Sequence, residues 1–406
     1  MLSVGAERSG SPDNDKQLAE GANAVFGPIL AEIQTGTEST PDSTCAGDDV
    51  WTSWCGAYTG SLSLLSATIS AAPPRAVRIL WAQLWKTVLD ATEVARALGS
   101  AAGPFQELAE AVVGILVELP RCFAAPAFAQ EETAALSVCS VASAGFATPT
   151  LLNRSCWLRP LSATVRHYSC QNGNATFLKA LVESFPTAVG AFLTGMDQAA
   201  RGTDENVAVW SSMYSLILDL ALTCPAVLSG DAAQLPLLLD MLVGDLMHAG
   251  GCAASDRTAG IVGLRVIAKL REWASVEQPE SDEARRQLAQ LVQQWLVLRG
   301  EVATAVGILV AASGALPPWM IDNLADALWG LGELIGGERL GAVLHVALCS
   351  EVLPYPVRRL KPEARTTVLG PLLSAKDRRV FKRSLKAMCG GKKKGMAGAP
   401  PAAACT

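Results

Sequence analysis

Histidine is scarce in this sequence, with three residues in 406, and its scarcity excludes several kinds of enzyme. His167, His248 and His345 are far apart, so no two histidines stand four residues apart on one helix, as they do in zinc proteases. The sequence also has no G-x-S-x-G nucleophile elbow and no P-loop. Gly330, Gly332 and Gly336 resemble the G-x-G-x-x-G motif that binds dinucleotides, but the third glycine is one residue too far along the chain and no strand precedes the motif. We therefore predict that the chain is not an enzyme and has no cofactor.

Closely paired cysteines are also missing, because none of the eleven cysteines belongs to a C-x-x-C motif. The nearest approach to a metal site is Cys156, His167 and Cys170, with Cys139 as a further ligand. Structural zinc usually needs four ligands in closely spaced pairs, and here only His167 and Cys170 are close. The odd count argues against a disulfide framework. We predict no metal site, and free thiols packed in the core in a reducing compartment.

A long, purely apolar run is absent as well. Three uncharged runs are long enough to consider, at residues 50–74, 133–153 and 302–321. They are rich in serine, threonine and alanine or broken by proline and glycine, whereas a spanning helix needs about twenty mainly apolar residues. Residues 1–20 are polar and lack the apolar centre of a signal peptide. We therefore expect no membrane span.

Alanine and leucine are the residues that this sequence uses most. Half of the chain is hydrophobic while only 6% is aromatic, and alanine and leucine favour helices over strands. Helix pairs are predicted to begin near Asp204, Ser255 and Glu301, a spacing that resembles HEAT or armadillo repeats. We predict an all-α fold, an α-solenoid of HEAT/armadillo-like antiparallel helix pairs. An irregular helical bundle is the alternative.

These patterns also predict how the chain is organised. Residues 1–15 are polar and predicted to be disordered, residues 16–389 form the helical-repeat solenoid, and residues 390–406 form a flexible tail rich in basic residues, alanine and proline. Inside the solenoid, residues 120–173 contain several prolines and cysteines and a stretch rich in serine and threonine. This section is predicted to hold one or two short helices and a long loop.

One helix of the second half has clear signals at both ends. Ser281 can cap its first turn, and Asp282 and Glu283 follow, where negative charge suits the positive end of a helix. Arg299 and Gly300 would then close it, because a cation and a glycine are favoured at helix ends. The sequence therefore predicts a helix that stops at Gly300.

Charge is distributed unevenly along the chain. From residue 361 onward there are eleven lysines and arginines and two acidic residues, and the preceding part has 22 basic and 36 acidic residues. An acidic body therefore carries a basic tail. An acidic surface attracts basic partners, and a basic tail favours an acidic partner or a targeting role.

The basic tail contains the candidate functional residues of this sequence. Its cations surround Val380, Phe381 and Leu385, which predicts a short amphipathic helix followed by a glycine-rich segment. Nuclear localisation, contact with nucleic acid or anionic lipid, and docking on the acidic body are all compatible with this pattern, as is a solvated final helix without a binding role. The candidate residues are Lys376, Arg378, Arg379, Lys382, Arg383, Lys386, Lys392, Lys393 and Lys394.

Two stretches resemble a known family. Residues 316–329 and the tail segments 377–383 and 389–394 are similar to the C-terminal portion of the karyopherin-β family of nuclear transport receptors, the importins and exportins, in its transportin-SR-like branch. The resemblance implies a HEAT-repeat solenoid that binds basic protein cargo, contacts nucleoporins and is found in both nucleus and cytoplasm. The N-terminal arch by which the family contacts the GTPase Ran has no counterpart that can be identified here, so Ran binding stays open.

Two functional hypotheses follow, with a third held as an alternative. The first is a receptor-like solenoid that carries protein cargo in nucleocytoplasmic transport. The second is a general helical-repeat scaffold for a protein complex, with no transport role. The third is an integral membrane protein that uses the uncharged runs. Nucleic acid is not an expected partner, because the tryptophans lie on apolar helical faces without the basic neighbours that a base-stacking platform needs.

Overall fold

The structure of the protein, a computed structural model, is mainly helical where it is described. Its regular elements are helices and no strand is present among them, so the prediction of an all-α fold is confirmed. The helices divide into two compact units, formed by residues 1–195 with 219–233 and by residues 196–218 with 234–406. The residues that the structure describes are 12–41, 48–98, 104–123, 131–148, 154–170, 175–196, 203–230, 234–248, 251–274, 283–312, 320–353 and 361–390.

The core of the first unit forms where helix α2 packs against α5 and where α6 packs against α8. Pro74 and Pro104 are the first residues of two of its helices, a position where the missing N–H of proline leaves no hydrogen bond unmade. The helices of this unit are α1 (Pro12–Glu38), α2 (Asp48–Ala71), α3 (Pro74–Ile79), α4 (Trp81–Leu98), α5 (Pro104–Glu118), α6 (Glu131–Ala147), α7 (Arg159–Cys170) and α8 (Ala175–Gly195).

Two further helices lie at the division between the units along the chain. Helix α9 (Asp204–Thr223) belongs to the second unit as far as Leu218 and to the first from Asp219. The hydroxyl of Thr203 accepts a hydrogen bond from the backbone N–H of Asn206 at 3.4 Å, the usual capping arrangement. The short helix α10 (Pro225–Ser229) packs against α8 and completes the first unit.

The second unit is built around α13 and α16, which pack against each other. The buried carboxylate of Asp245 accepts hydrogen bonds from the backbone N–H groups of Cys252 and Ala253, both at 2.9 Å, and so begins a short helix. The helices of this unit are α11 (Leu235–Met247), α12 (Cys252–Ser255), α13 (Arg257–Ala274), α14 (Glu283–Trp295), α15 (Glu301–Val310), α16 (Ile321–Ile335), α17 (Gly337–Ala347), α18 (Pro362–Leu373) and α19 (Arg378–Gly390).

Residues 120–173 are more helical than the sequence predicts. Helix α6 has 17 residues and α7 has 12, and 3₁₀ turns at Leu119–Phe123 and Arg154–Leu158 flank them. Alanine, serine and glycine are spread around α6, so it has little contrast between an apolar and a polar face. Such a helix has no clear periodic signal in the sequence, but its small side chains let neighbouring elements approach closely.

The N-terminal boundary also differs from the prediction. Helix α1 begins at Pro12, inside the segment 1–15 that was predicted to be disordered. A proline at the start of a helix has its backbone angle already set for helical geometry. Residues 1–11 and 391–406 lie outside the described residues, so the remaining predictions for the two chain ends stay predictions.

One helix among the described residues is long and apolar enough to cross a membrane by length and composition, and it is α8. It is not one of the three uncharged runs considered above. Its Lys179 forms an ion pair with Glu132 of α6, and α8 packs against α6 and α7. A core helix of a globular unit passes the same length and composition test, so this feature is weak evidence for a span.

Gly300 does not end a helix, and this prediction is wrong. Helix α14 continues through a π-helical turn, Leu296–Gly300, directly into α15. The backbone of Gly300 is helical, with φ −88° and ψ −34°. A Cβ at this position would lie 2.7 Å from the ring of Trp295, so glycine is required here by close packing. Consequently Glu301 is not the start of a separate helix pair.

The Gly300→Ala variant tests this interpretation. We expect it to lower the free energy of unfolding by about 1–3 kcal/mol, because the added methyl group overpacks the site beside Trp295. Gly244→Ala in α11 is the control, since a Cβ there meets nothing within 4 Å and replacing an interior helical glycine stabilises by about 0.5–1 kcal/mol. Chemical denaturation of both variants gives the comparison. A stabilising Gly300→Ala would mean that Trp295 does not lie against this glycine.

Candidate functional site

The basic segment near the end of the chain forms a helix that is docked on the second unit. Helix α19 spans Arg378–Gly390, as the amphipathic pattern predicts. Asp377 caps it by accepting hydrogen bonds from the N–H groups of Arg379 and Val380 at 2.8 and 2.9 Å. Phe381 and Leu385 are 2% and 0% exposed, so the two main apolar side chains of α19 are used in packing.

The surface that receives α19 is one side of α16. Four of its residues recur at spacings of four, three and four, which places them on one side of a helix. We call these residues, Asp322, Asp326, Trp329 and Glu333, the acidic face of α16. The rings of Trp329 and Phe381 meet edge to face with their centroids 5.3 Å apart. Glu333 also forms an ion pair with Arg271 of α13 at 2.6 Å.

Three cations of α19 pair with the acidic face of α16, and we call them the paired cations. Arg378 Nε lies 2.5 Å from Asp326 Oδ1, and the ammonium groups of Lys386 and Lys382 lie 2.6 and 3.3 Å from Asp322 Oδ1. The hydrogen bond from Lys386, aided by Lys382, holds the pKa of Asp322 below its ordinary value. The hydrogen bond to Asp326 raises the pKa of Arg378. The docked arrangement therefore favours the charged forms of these groups.

Three other cations of the segment face solvent, and we call them the outer cations. Lys376, Arg379 and Arg383 are exposed, and within the part of the chain that the structure describes none of them forms an ion pair. Arg379 and Arg383 are four residues apart on α19 and therefore lie on one side of it, and Lys376 lies two residues before the helix begins. The predicted site residues Lys392, Lys393 and Lys394 lie outside the described residues.

The energetics of docking combine a moderate apolar part with a weak ionic part. Burial of Phe381 and Leu385 contributes about 1.5–3 kcal/mol each before the entropy cost of ordering. The ion pairs are partly exposed, with Arg378 at 61% and Lys386 at 49%, and such pairs contribute about 0.2–1 kcal/mol each. The apolar side is therefore the main contribution to stability, and the charges mainly determine register and orientation.

The position of α19 bears on the roles that the sequence left open for the basic tail. Docking on the acidic body is observed. An amphipathic helix that binds a membrane surface must bury its apolar side in the bilayer, but Phe381 and Leu385 are already buried in the second unit. The outer cations are available to an acidic surface without any rearrangement. Insertion of this apolar side into lipid would therefore require α19 to leave the second unit.

The described residues show no cluster of three histidines, cysteines or acidic residues that could hold a metal ion. Cys139, the further ligand considered above, lies with its Sγ 3.5 Å from the hydroxyl of Thr164 in the core. Burial raises the pKa of the Cys139 and Cys156 thiols to about 12, which opposes the thiolate form that binds metals. Burial, with Arg121 and Arg166, lowers the pKa of His167.

Sequence reasoning identified the cations of α19 but not their division into two sets. The missing information is the partner surface, because Asp322 and Asp326 are separated from α19 by more than fifty residues. A signal was present in the helical spacing of both sets, because the acidic face of α16 recurs every three or four residues and the paired cations recur every four. No family model matches this chain, and no curated protein matches it either.

Proposed function

We propose that this chain is a helical scaffold that binds other proteins, and that the outer cations, on α19 and just before it, form one of its contact surfaces. The observation that carries this proposal is the group of three exposed cations, with Arg379 and Arg383 on a helix whose other sides are buried or paired and Lys376 two residues before that helix. A rigidly placed group loses little entropy when it binds an acidic surface, and charge complementarity speeds the encounter.

A second surface of the second unit supports an interaction role. Val297 and Leu298 lie in the π-helical turn between α14 and α15 and are 67% and 78% exposed. Neighbouring Val302 is 37% exposed. π-helical turns occur frequently at functional sites, and adjacent exposed apolar side chains are typical of protein contacts.

Nuclear transport is the narrower form of this proposal. It is supported by the resemblance of residues 316–329, 377–383 and 389–394 to karyopherin-β receptors. In that form the helices are stacked as HEAT-like antiparallel pairs in an α-solenoid, and the chain carries basic protein cargo and contacts nucleoporins while moving between cytoplasm and nucleus. Ran remains an open partner. The broader form, a scaffold without a transport role, needs only the surfaces described above.

Reversal of the outer cations tests the scaffold proposal. In the Lys376→Glu, Arg379→Glu, Arg383→Glu variant we expect the recovery of acidic partner proteins from cell extract to fall roughly tenfold, because three exposed charge contacts are lost. The assay is quantitative affinity capture on the immobilised full chain at low and moderate salt. The control variant Lys16→Glu, Lys86→Glu, Lys361→Glu makes the same change in net charge at exposed positions.

The outcomes of this capture separate the two forms. If the outer-cation variant recovers fewer acidic proteins and the control variant does not, the result supports the outer cations as a contact surface. Equal capture by wild type and both variants would refute it. Recovery of nucleoporins and basic nuclear proteins, with dependence on the nucleotide state of Ran, would favour transport, whereas a fixed set of other partners that survives salt would favour the scaffold.

A further inference from the structure

The acidic face of α16 has the features of a receptor surface for a basic helix. It offers two half-buried carboxylates, Asp322 and Asp326, an aromatic ring at Trp329 and a further exposed carboxylate at Glu333 along one side of a helix. The two aspartates are used by cations of α19, and the aromatic ring is used by Phe381. Both the charge and the apolar anchor of α19 are therefore recognised by this one face.

We propose that the acidic face of α16 is a binding site for a basic amphipathic helix of a partner protein, and that α19 occupies this site until the partner displaces it. The inference rests on the proposed function, because it assumes that the chain binds proteins. It goes beyond that function by naming the chemistry of one ligand and the segment that competes with it.

The contacts of α19 define what the partner helix must carry. An aromatic residue takes the place of Phe381 against Trp329, and a leucine or similar residue four positions later takes the place of Leu385. The partner helix also carries three cations in the places of Arg378, Lys382 and Lys386. Relative to the aromatic residue they lie three positions before it, one position after it and five positions after it. These five positions form one continuous side of a helix.

Displacement is favoured by the exposure of the ion pairs. Arg378 and Lys386 are 61% and 49% exposed while paired, so solvent, salt and an incoming cation can reach them without prior opening of the core. Since α19 is attached to the same chain, its effective concentration at α16 is high, and a free helix binds only to the fraction of molecules in which α19 is released. A variant with weakened α19 docking should therefore bind a free helix more tightly than wild type.

The test uses a fluorescent peptide with the sequence of residues 376–390 and the full-length chain. In the Arg378→Glu, Lys382→Glu, Lys386→Glu variant, in which α19 is repelled from α16, we expect the peptide to bind at least about tenfold more tightly than to wild type. The Lys16→Glu, Lys86→Glu, Lys361→Glu variant is the matched control, because it changes net charge equally but leaves α19 unchanged, and its affinity should equal that of wild type. Fluorescence anisotropy gives the affinities. Addition of Asp322→Asn and Asp326→Asn to the paired-cation variant should abolish the gain.

Equal peptide affinity in wild type and both variants, or an equal gain in both variants, would overturn the proposal. If the paired-cation variant does not fold, hydrogen exchange of the wild-type chain tests whether α19 can be displaced. Displacement requires that the α19 amides exchange faster at high salt while those of α13 do not, and exchange of α19 only with the whole unit would refute it. The capture experiment on the outer cations involves a different surface, so either proposal can fail without the other.

Discussion

The Trp157→Ala variant is expected to lose about 3–5 kcal/mol of unfolding free energy. Trp157 is 0% exposed, and its ring packs directly against Gly145 of α6, where a Cβ would lie 2.2 Å from Cε3. Removal of the indole leaves a large cavity between α6 and the 3₁₀ turn, and the surrounding helices can fill it only in part. Chemical denaturation, followed by circular dichroism, measures the loss.

Two further variants define the cause of this loss. The indole Nε1 has no hydrogen-bond partner among the described residues, so Trp157→Phe removes volume but no hydrogen bond. It should therefore lower the free energy of unfolding by much less than Trp157→Ala does. Val182→Ala in α8, at a side chain that is 44% exposed, should change stability by less than about 0.5 kcal/mol. A small effect of Trp157→Ala would mean that Trp157 is not closely packed against α6.

The helical character of the chain could be predicted because it depends on local properties. Alanine and leucine favour helices, and proline and glycine mark most of the boundaries, so α9 begins at Asp204 and α13 at Arg257, close to the starts predicted at Asp204 and Ser255. The character of α6 could not be predicted in this way. Its small residues give no amphipathic period, and its helical state is stabilised by packing against α8 and Trp157, which lie outside the helix itself.

Gly300 shows why end signals can mislead. A glycine that follows an arginine matches a helix end, but the same residue also serves where a large side chain needs space. Trp295 is 4% exposed and donates a hydrogen bond to Asp240 at 2.8 Å. This tertiary contact fixes the indole against Gly300, and the chain remains helical. The sequence alone contains no sign of which requirement applies.

The candidate site shows the same division between local and distant information. The amphipathic pattern of α19 predicts correctly that Phe381 and Leu385 are buried. Which cations remain available depends on the position of Asp322 and Asp326, and that position is a result of the tertiary fold. The sequence therefore identifies the cations, and the structure divides them into paired and outer sets.

The Phe381→Ala variant is expected to release α19 from α16. Phe381 is 2% exposed, and deletion of a buried phenylalanine costs about 3–5 kcal/mol, which is comparable with the whole apolar contribution estimated for this helix. The remaining ion pairs are too weak to hold the helix. The α19 amides should then exchange with solvent at least about a hundredfold faster, since every 1.4 kcal/mol changes an equilibrium tenfold. Hydrogen exchange with mass spectrometry gives the measurement.

The extent of this exchange distinguishes two roles for α19. Leu373→Ala in α18 serves as the control, because that side chain is 39% exposed and its loss should leave α19 protected. Faster exchange confined to α19 would show that this helix opens as a separate unit, as a displaceable occupant of α16 must. Faster exchange throughout α13 and α16 would show that α19 is an integral part of the core. In that case the acidic face of α16 could not be offered to a partner while the unit stays folded, and the outer cations would remain as the contact surface of this helix.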